Sequence, residues 1–376
     1  MGGTDASPPG VTKSSRDPET IRQGLEMWLA SRLPDGARPT VTEIEVSSAN
    51  GMSSDTFLFR AAWDEGGEQR DERLVARVRP DPADVPVHPE YDLPRQFEVI
   101  RLVGELTKLP VPQVLWLEQD GGPFGVPFFV MARIDGVVPP DVLPYPFGDN
   151  WLYDASVTDQ RRLQDTTIAA LAELHAIDDP ADRFGFVGPF TEGDNALRRH
   201  VEYTRKWYEF AAADVGRSPL IERTLSWLED NWPSDEGPTV LVWGDSRIGN
   251  VMYREFEPVG ILDWEMARLG PRELDVTWLL YSHRIFDDLA NDTGLPGMPG
   301  FLRRDDVVST YESISGHTPR DIDFYCVYAA VQWSTVFLRT GLRSIHFGQQ
   351  MMPDDADDLI LNRCALERML AGTYWS

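Results

Sequence analysis

A polar loop between two short hydrophobic segments is the feature that most limits how this chain can fold. Hydrophobic residues at 240–242 and 259–262 flank the segment Trp-Gly-Asp-Ser-Arg-Ile-Gly-Asn and a following turn. This pattern predicts a strand, a tight loop and a β-hairpin. Asp245 and Asn250 are five residues apart in the loop, and Asp263 follows Asn250 by thirteen residues, where the second hydrophobic segment ends. The hairpin therefore brings two acids and an amide to one rim.

These three side chains are of the types that phosphoryl transfer requires. A carboxylate such as Asp245 can orient a hydroxyl and take its proton, while the oxygens of Asn250 and Asp263 can hold Mg²⁺ against the phosphates of a nucleotide. Gly244 and Gly249 allow the backbone to turn sharply on both sides of Asp245. The alternative is that Asp245 and Asn250 only cap a turn. The hairpin, with Leu-Asp-Trp-Glu at the expected distance, favours the catalytic interpretation.

The loop resembles the catalytic loop of the aminoglycoside phosphotransferase and choline kinase group, small-molecule relatives of protein kinases. That group carries His-Gly-Asp-x-x-x-x-Asn and then an Ile-Asp-Trp or Ile-Asp-Phe segment, and here Trp243 replaces the histidine. We expect Trp243 to keep a scaffold role, because an indole N–H can donate one buried hydrogen bond. The resemblance implies that Asp245 is the base and that Asn250 and Asp263 bind the metal. It also suggests that Arg247 steadies the transferred phosphoryl group or pairs with an acid.

Composition narrows the range of partners. The chain has 376 residues, 42% of them hydrophobic, which predicts two lobes. Its 35 Lys and Arg against 61 Asp and Glu give a formal net charge of −26, and such a field repels DNA, RNA and anionic membranes. We therefore expect no nucleic-acid partner and no membrane partner.

The cysteines and the N-terminus predict a cytoplasmic protein. Cys326 and Cys364 fall in apolar helical stretches and are expected to be reduced core thiols. Residues 1–16 are small, polar and rich in Pro and Gly, so we expect a disordered tail and no signal peptide. No hydrophobic run approaches the length of a membrane span.

The first third of the chain predicts a β-rich lobe. Asp17 is expected to cap a first helix, and a second helix is predicted at about 93–107. A charged loop is predicted at 64–72. Strands are predicted for five segments, namely 41–46, 56–63, 74–79, 109–116 and 127–136.

Within this lobe, the turn at 50–55 occupies the place of the family's phosphate-covering loop. Gly51, Ser53 and Ser54 could offer N–H and hydroxyl donors to phosphates, although an ordinary hairpin turn has the same composition. The strand at 127–136 resembles the family's hinge between the lobes.

The resemblance also implies which residues bind the nucleotide. The family places a phosphate-binding cation on the third strand, where Val-Ala-Arg77 matches its pattern, and Arg79 is the alternative. Gln96 falls where relatives carry a glutamate that pairs with this cation, so Gln96 is expected to accept a hydrogen bond from Arg77. In the hinge, backbone groups of Val130 and Met131 through to Arg133 would meet the adenine edge, whereas a plain edge strand is the alternative.

After Gly136 the pattern predicts mainly helices. His175 is interpreted as a packed structural histidine. Asp275 is expected to hold the backbone of the catalytic loop, and Glu265 to serve structure or the outer shell of the metal. Helices are predicted from about 158, at 195–213, 218–232, 304–315 and 319–342, and at 354–370, where an acidic run at 354–358 favours a helix start.

The resemblance covers about residues 20–370 and implies an α+β, protein kinase-like fold of two lobes. A small antiparallel-sheet lobe at 17–132 would be joined by a hinge at 133–137 to a helical lobe at 138–376. The implied reaction moves the γ-phosphoryl group of ATP or GTP, with Mg²⁺, to a hydroxyl of a small molecule. An aminoglycoside is the first candidate, since a cationic acceptor suits an acidic protein. Choline, homoserine, sugars and hydroxy-acyl compounds are alternatives, as is a nucleotide-binding pseudokinase.

Overall fold

The computed structural model describes residues 17–46, 55–81, 83, 85–188 and 191–375. The predicted tail at 1–16 and the phosphate-covering turn with Gly51, Ser53 and Ser54 lie outside the described residues. The described chain forms a lobe built on an antiparallel sheet and a larger helical lobe. The predicted α+β, kinase-like class is therefore confirmed.

Five antiparallel strands form the sheet of the N-terminal lobe. They are β1 (Thr40–Val46), β2 (Asp55–Glu65), β3 (Glu68–Val78), β4 (Val114–Glu118) and β5 (Phe128–Ala132). Their order across the sheet is β1-β2-β3-β5-β4. The strand that leads to the hinge, β5, is therefore flanked on both sides and is not an edge strand.

The charged loop predicted at 64–72 is wrong, because these residues continue the hairpin of β2 and β3. Gly66 and Gly67 form its two-residue turn with φ of +63° and +90°, values that glycine adopts without strain. Beyond the turn the side chains face solvent, and Arg60 donates to both carboxylate oxygens of Asp71 at 2.7 and 2.6 Å. These two strand ends are polar because both of their faces are exposed, and their composition therefore resembles that of a loop.

The two faces of this sheet pack against different partners. Helix α1 (Pro18–Arg32), capped by the Asp17 side chain at 2.9 Å from Thr20 N, covers one face. A separate core lies there, formed by residues that include Ile21, Leu25, Trp28, Leu29, Phe57, Leu74, Phe128 and Val130. The other face carries Phe129, which contacts Phe97 of α2 (Leu93–Leu106) at 6.0 Å between ring centroids. Strand alternation places Arg77 on this second face, toward the helical lobe.

Eight further α-helices lie in the described part of the helical lobe. They are α3 (Val157–His175), α4 (Pro180–Phe184), α5 (Ala196–Val215), α6 (Pro219–Asp230), α7 (Glu273–Asp292), α8 (Arg304–Ser315), α9 (Ile322–His346) and α10 (Arg363–Leu370). Helix α9 packs against α5, α6, α7 and α10 and is buried along most of its length. Ser156, Asn195 and Ser218 cap α3, α5 and α6 by accepting a backbone N–H three residues on.

Two small strand pairs carry the polar rim predicted from the sequence. Strand β6 (Thr239–Val242) pairs with β9 (Arg268–Pro271), and β7 (Val251–Arg254) pairs with β8 (Glu257–Ile261). The β7–β8 pair is the predicted hairpin. Strand β9 was not predicted, because Gly and Pro weaken a strand pattern. Val137 of the hinge exchanges backbone hydrogen bonds with Tyr253 at 3.0 and 2.8 Å, which ties the hairpin to the segment between the lobes.

The helix predicted at 354–370 is wrong in its first half. Ala356–Leu359 form a 3₁₀ turn, and α10 begins only at Arg363. Asp355 caps the turn by accepting from Asp357 N at 3.0 Å. The acidic run therefore caps a short turn and does not start a helix. The extended backbone of Ile360 separates this turn from α10.

The two cysteines differ in environment. Cys326 is buried in α9 as predicted, but Cys364 is exposed on α10, so its prediction as a core thiol is wrong. Helix α10 is short and turns this side outward. No helix in the described ranges combines the length and the apolar character that a membrane crossing needs.

Two histidines, the half-buried His200 and the buried His283, are expected to make stability fall below neutral pH. Burial lowers the pKa of His200 to about 4, and burial lowers that of His283 to about 3. The unfolded chain takes up these protons near pH 6.5 while the fold does not, so stability falls as pH drops from 6.5 toward 4. At pH 5 each histidine costs about 2 kcal/mol.

Urea denaturation at pH 7 and pH 5 checks this expectation, with His200→Gln as the matched variant. A glutamine keeps an N–H donor for the carbonyl of Leu269, to which His200 Nε2 donates at 3.1 Å. The variant should lose about 2 kcal/mol less than wild type between the two pH values. An equal loss in both proteins would contradict the assignment of His200.

Candidate active site

The loop that follows β6 places Asp245 where it can meet a bound molecule. About 13% of the Asp245 side chain remains exposed. Its Oδ1 accepts hydrogen bonds from Trp278 Nε1 at 2.7 Å and from Arg247 Nε at 3.1 Å. Arg247 therefore pairs with an acid, which is one of the two roles that the sequence left open for it.

Asp275 holds the backbone of this loop, as predicted. Its Oδ2 accepts from Trp243 N at 2.7 Å and its Oδ1 from Gly244 N at 2.8 Å, and the side chain is fully buried. His175 lies 3.0 Å from Asp275 Oδ2 through Nε2 and 2.8 Å from the Tyr311 hydroxyl through Nδ1. His175 is thus packed behind the loop, where it supports Asp275, and the structural interpretation is confirmed.

Gly244 is expected to tolerate no side chain. Its φ is +88°, and an added Cβ would overlap the carbonyl oxygen of Met266 and lie 2.7 Å from Met266 Cβ. Gly216 is the control: its φ of +89° is nearly the same, but an added Cβ would meet no atom, so its substitution introduces backbone strain alone. Gly216→Ala should cost about 1 kcal/mol. Gly244→Ala should cost about 3 kcal/mol or more, since the overlap adds to the strain.

Urea midpoints of the two variants, combined with their activity, provide the measurement. Equal destabilisation by the two substitutions would show that the contact with Met266 does not constrain the loop.

Trp243 makes the buried hydrogen bond expected of it. Its Nε1 donates to the carbonyls of Leu262 at 2.9 Å and Asp263 at 3.2 Å. Its ring lies 5.8 Å from that of Trp264. The indole therefore supports the backbone of the segment that carries Asp263, which explains how the chain can lack the family's histidine here.

Asn250 and Asp263 are brought to the same side of the hairpin as Asp245. Asn250 Nδ2 donates to the carbonyl of Asp245 at 3.1 Å, and Leu262 N donates to the carbonyl of Asn250 at 2.9 Å. Asp263 has a left-handed backbone with φ +60°. Burial raises the pKa of Asp263 to about 6, while Arg77 opposes the shift and Glu265 adds to it. A cation beside this carboxylate would stabilise its ionised form.

Arg77 reaches across the cleft to these acids. Its Nη2 donates to Asp263 Oδ1 at 2.5 Å and to Glu265 Oε2 at 3.3 Å, and Glu265 Oε1 lies 3.0 Å from His88 Nε2. Burial, the largest single effect, lowers the pKa of Arg77, but the two carboxylates together outweigh it and raise the pKa. The Arg77 Nε–H is buried without a hydrogen-bond partner. One donor of the guanidinium therefore remains for a further oxygen.

The predicted hydrogen bond between Gln96 and Arg77 does not form. Gln96 is 1% exposed, and neither its amide oxygen nor its amide nitrogen has a partner. Arg77 instead pairs with two carboxylates, because a buried guanidinium gains more from charge than from an amide dipole. Arg79, the alternative cation, is exposed at the end of β3.

The segment predicted at 130–133 to contact adenine has most of its backbone N–H groups in use. Val130 is fully buried in the core beneath α1, and both Val130 and Met131 are paired with strands on each side. The N–H groups of Ala132 and Arg133 donate to backbone carbonyls of neighbouring segments at 2.8 and 2.9 Å. The Arg133 side chain is exposed. The N–H groups of Ala132 and Arg133 are therefore not open to a base edge, and contacts of this segment with adenine remain a prediction.

Comparison with protein families shows the family of the chain. Residues 48–299, two thirds of the chain, match the model of the phosphotransferase enzyme family. The chain belongs to the phosphotransferase enzyme family. Membership of this family was predicted from the loop that carries Asp245 and Asn250.

Curated relatives of this phosphotransferase are longer proteins. "Probable acyl-CoA dehydrogenase IBR3" of Arabidopsis thaliana is 28% identical over 313 residues, which cover 78% of this chain and 35% of the relative. Acyl-CoA dehydrogenase family member 11 of Homo sapiens is 25% identical, with 70% and 32% covered. Family member 10 of Mus musculus is 26% identical, with 61% and 19% covered. The phosphotransferase thus spans about a third or less of these relatives.

Solved structures share its fold. A candidate aminoglycoside phosphotransferase from Ralstonia eutropha superposes with a TM-score of 0.64 at 20% identity, covering 94% of this chain and 98% of the other. Ethanolamine kinase from Plasmodium vivax gives 0.58 at 11% identity, covering 89% and 83%. A thermostable aminoglycoside phosphotransferase mutant in complex with ADP and hygromycin B gives 0.53 at 15% identity, covering 93% and 98%. These likenesses establish the kinase-like fold.

The sequence did not predict two residues of the candidate site, Asp141 and Trp278. Asp141 lies in the connector after the hinge and forms an ion pair with Arg247 Nη1. Gly249 leaves room for the Asp141 carboxylate, which an added Cβ would overlap. Because the φ of Gly249 is not positive, this close approach, and not backbone strain, is the reason for a glycine here. Trp278 sits one turn after Asp275 in α7 and donates to Asp245. No local motif marks either residue, because both partners are distant in sequence.

Proposed function

We propose that the protein transfers the γ-phosphoryl group of ATP, with Mg²⁺, to a hydroxyl of a small molecule. The convergence of Asp245, Asn250 and Asp263 on one side of the β7–β8 hairpin carries this proposal. Two hydrogen bonds fix that convergence: the one from Asn250 Nδ2 to Asp245 O at 3.1 Å, and the one from Leu262 N to Asn250 O at 2.9 Å. GTP is an alternative donor, because the hinge contacts depend on backbone atoms.

The residues present fit a magnesium ion. Asp263 offers a carboxylate, and Asn250 offers an amide oxygen, since its amide nitrogen is already used inside the loop. Oxygen ligands of this kind suit Mg²⁺, which is commonly held by one or two protein side chains and substrate phosphates. When bound, the ion supplies charge neutralisation on the phosphates.

The chain's own side chains account for the remaining chemistry. Asp245 orients the acceptor hydroxyl and takes its proton as the acceptor oxygen forms its bond to the γ-phosphorus. The bond from that phosphorus to the bridging oxygen breaks, and ADP leaves with its electron pair. Arg77 supports this transfer from the opposite lobe, because its buried Nε–H has no partner and can donate to a phosphate oxygen.

The pseudokinase alternative loses much of its support. It rested on Trp243 in place of histidine and on Gln96 in place of glutamate. Trp243 supplies the supporting hydrogen bonds to the Asp263 segment. The cation that Gln96 would have paired with has two carboxylate partners instead. Both departures from the family pattern therefore leave the catalytic groups in place.

A hydroxyl-bearing acyl compound is the acceptor class that we favour over an aminoglycoside. The relatives named as acyl-CoA dehydrogenases point to acyl chemistry. Beside Asp245, the wall is aromatic, with Trp278 stacked on Trp333 at 5.6 Å. Asp355 and Asp357 of the acidic run are used within the protein, in a turn cap and in a hydrogen bond from Ser218. They are thus poorly suited to bind an amino-sugar.

A mass-spectrometric screen tests the proposal. Purified protein with ATP and Mg²⁺ is incubated with hydroxy-acyl thioesters, hydroxy acids, aminoglycosides, choline, homoserine and sugars, and products are examined for the mass gain of one phosphoryl group. We expect gain on hydroxy-acyl compounds and none with Asp245→Asn. Transfer only to aminoglycosides would replace the acceptor class. Nucleotide binding without transfer to any acceptor would favour the pseudokinase.

A further inference from the structure

The carboxylate of Asp245 is held asymmetrically by donors that lie outside the proton-transfer step. Oδ1 accepts from Trp278 Nε1 at 2.7 Å and from Arg247 Nε at 3.1 Å, whereas Oδ2 lies 3.4 Å from Arg247 Nε. A hydrogen bond weakens with distance, so Oδ1 is the occupied oxygen. Oδ2 is the oxygen left to face an acceptor hydroxyl.

Trp278 is held rigidly enough to act as a fixed donor. It is 3% exposed, and its ring stacks on Trp333 with 5.6 Å between centroids and 17° between planes. Trp333 is in turn anchored by its Nε1, which donates to Ser282 Oγ at 3.2 Å, and by Phe286 at 5.7 Å. The indole N–H of Trp278 is therefore aimed at Asp245 by packing from α7 and α9.

Arg247 is fixed by a second acid, Asp141. The two side chains form an ion pair through Arg247 Nη1, and each is only 13% exposed. Burial raises the pKa of the Asp141 carboxyl, and Arg247 opposes this shift. Burial lowers the pKa of Arg247, but Asp141 and Asp245 outweigh it and raise the pKa. The guanidinium therefore lies between two carboxylates and stays charged.

We propose that Trp278 and Asp141 are positioning residues, which fix Asp245 so that Oδ2 faces the acceptor hydroxyl. Trp278 acts directly on Oδ1, and Asp141 acts through Arg247. The inference rests on the proposed function, because it assigns the orientation of the base in that reaction. Arg247 accordingly belongs to the support of the base, rather than to the binding of the phosphoryl group.

Trp278→Phe tests the first of these residues. Phenylalanine keeps an aromatic ring against Trp333 and removes the N–H donor together with one ring of the indole, a loss of volume that the control shares. We expect kcat to fall roughly 10-fold to 100-fold, the effect of losing one hydrogen bond to a charged group, with KM for ATP within about 2-fold. Trp28→Phe is the matched control, since it also removes an indole N–H that donates to a buried carboxylate, Glu118 Oε2 at 2.8 Å, but on the face of the N-terminal sheet turned away from Asp245. It should change kcat by less than about 3-fold.

Asp141→Asn tests the second residue. The amide keeps the shape and removes the charge that holds Arg247, so we expect kcat to fall by about 10-fold or more with the ATP KM unchanged. Asp287→Asn is its control, because Asp287 is equally a buried acid and accepts from Met298 N at 2.6 Å, away from Asp245. If the role of Asp141 is only structural, Asp141→Asn and Asp287→Asn should show similar decreases in the unfolding midpoint and in kcat.

The outcomes separate the inference from the function beneath it. If wild type transfers phosphoryl groups and both test variants behave like their controls, the positioning role is overturned and the function stands. If wild type transfers to no hydroxyl, the function fails and the inference fails with it. A large kcat loss in Trp278→Phe and Asp141→Asn, with their melting temperatures within the range of the controls, supports both.

Discussion

Asp245→Asn is expected to lower kcat by roughly 10²-fold to 10⁴-fold, the usual contribution of a positioned general base. The amide keeps the size of the side chain and can still accept from Trp278 Nε1, which donates to Asp245 Oδ1 at 2.7 Å. It cannot take the proton of the acceptor hydroxyl. The loss should therefore appear in kcat, while KM for ATP and the unfolding midpoint change little.

Steady-state kinetics on an accepted substrate and ADP titrations provide the measurement. Asp135→Asn serves as the control, because Asp135 pairs with Arg73 at the surface of the hinge and is half exposed. That variant should retain wild-type kcat. Wild-type turnover in Asp245→Asn would remove Asp245 from the role of base and, with it, the main support for the proposed reaction.

Asp263→Asn is expected to abolish the Mg²⁺-dependent part of nucleotide affinity. Asparagine tolerates the left-handed backbone at this position, where φ is +60°, so the hairpin should be kept. The substitution removes the carboxylate that is expected to bind the ion. It also removes the nearer of the two acids that hold Arg77, since Asp263 lies at 2.5 Å and Glu265 at 3.3 Å. We expect Kd for ADP with Mg²⁺ to rise about 100-fold, which is about 2.7 kcal/mol.

Calorimetric titrations with ADP in the presence of Mg²⁺ and in the presence of EDTA provide the measurement. Glu265→Gln is the matched control, since Glu265 contacts Arg77 and His88 but is expected to act behind the metal site. It should weaken binding less and leave the difference between Mg²⁺ and EDTA largely intact. If Asp263→Asn binds ADP with the same dependence on Mg²⁺ as wild type, Asp263 is not a metal ligand.

An ion pair between the two lobes is expected to couple nucleotide binding to metal binding. Arg77 comes from the N-terminal sheet, and its carboxylate partners Asp263 and Glu265 come from the helical lobe. A bound phosphate competes with these carboxylates for the guanidinium, and a bound cation competes with the guanidinium for Asp263. Nucleotide and metal together should therefore exchange an internal ion pair for contacts to the ligand, so each should favour binding of the other.

The predictions that held concern segments in which the interacting residues are close in sequence. The β7–β8 hairpin and the polar rim fall within a short stretch, where turn residues and hydrophobic alternation fix the geometry. Trp243 could be assigned a supporting hydrogen bond because its partners Leu262 and Asp263 belong to the same hairpin unit. The family pattern added Asp275, whose contact with the loop N–H groups the structure contains.

Where the sequence pattern was ambiguous, contacts between distant residues or the exposure of a strand decided the structure. Gln96 was assigned to Arg77 by alignment, yet Arg77 is bound by acids from the other lobe, 186 and 188 residues away in the chain. The side chains of Val130 and Met131 point to opposite faces of the sheet. Only the packing of α1 decided that Val130 faces the core beneath this helix. The exposed charges of the β2–β3 hairpin carried no hydrophobic period from which a strand could be predicted.

The sequence by itself determined the polar loop and its hairpin, because spacing over a few residues sets which side chains share a rim. Its resemblance to the phosphotransferase group supplied the kinase-like class and the family. Only the tertiary structure decided how the Asp245 carboxylate is held. Trp278 is 33 residues from Asp245, and Asp141 is 106 residues from Arg247, so no local pattern links them. Burial of these groups in one low-dielectric site makes their contacts strong, and that burial exists only once α7 and the connector after the hinge have packed against the loop that follows β6.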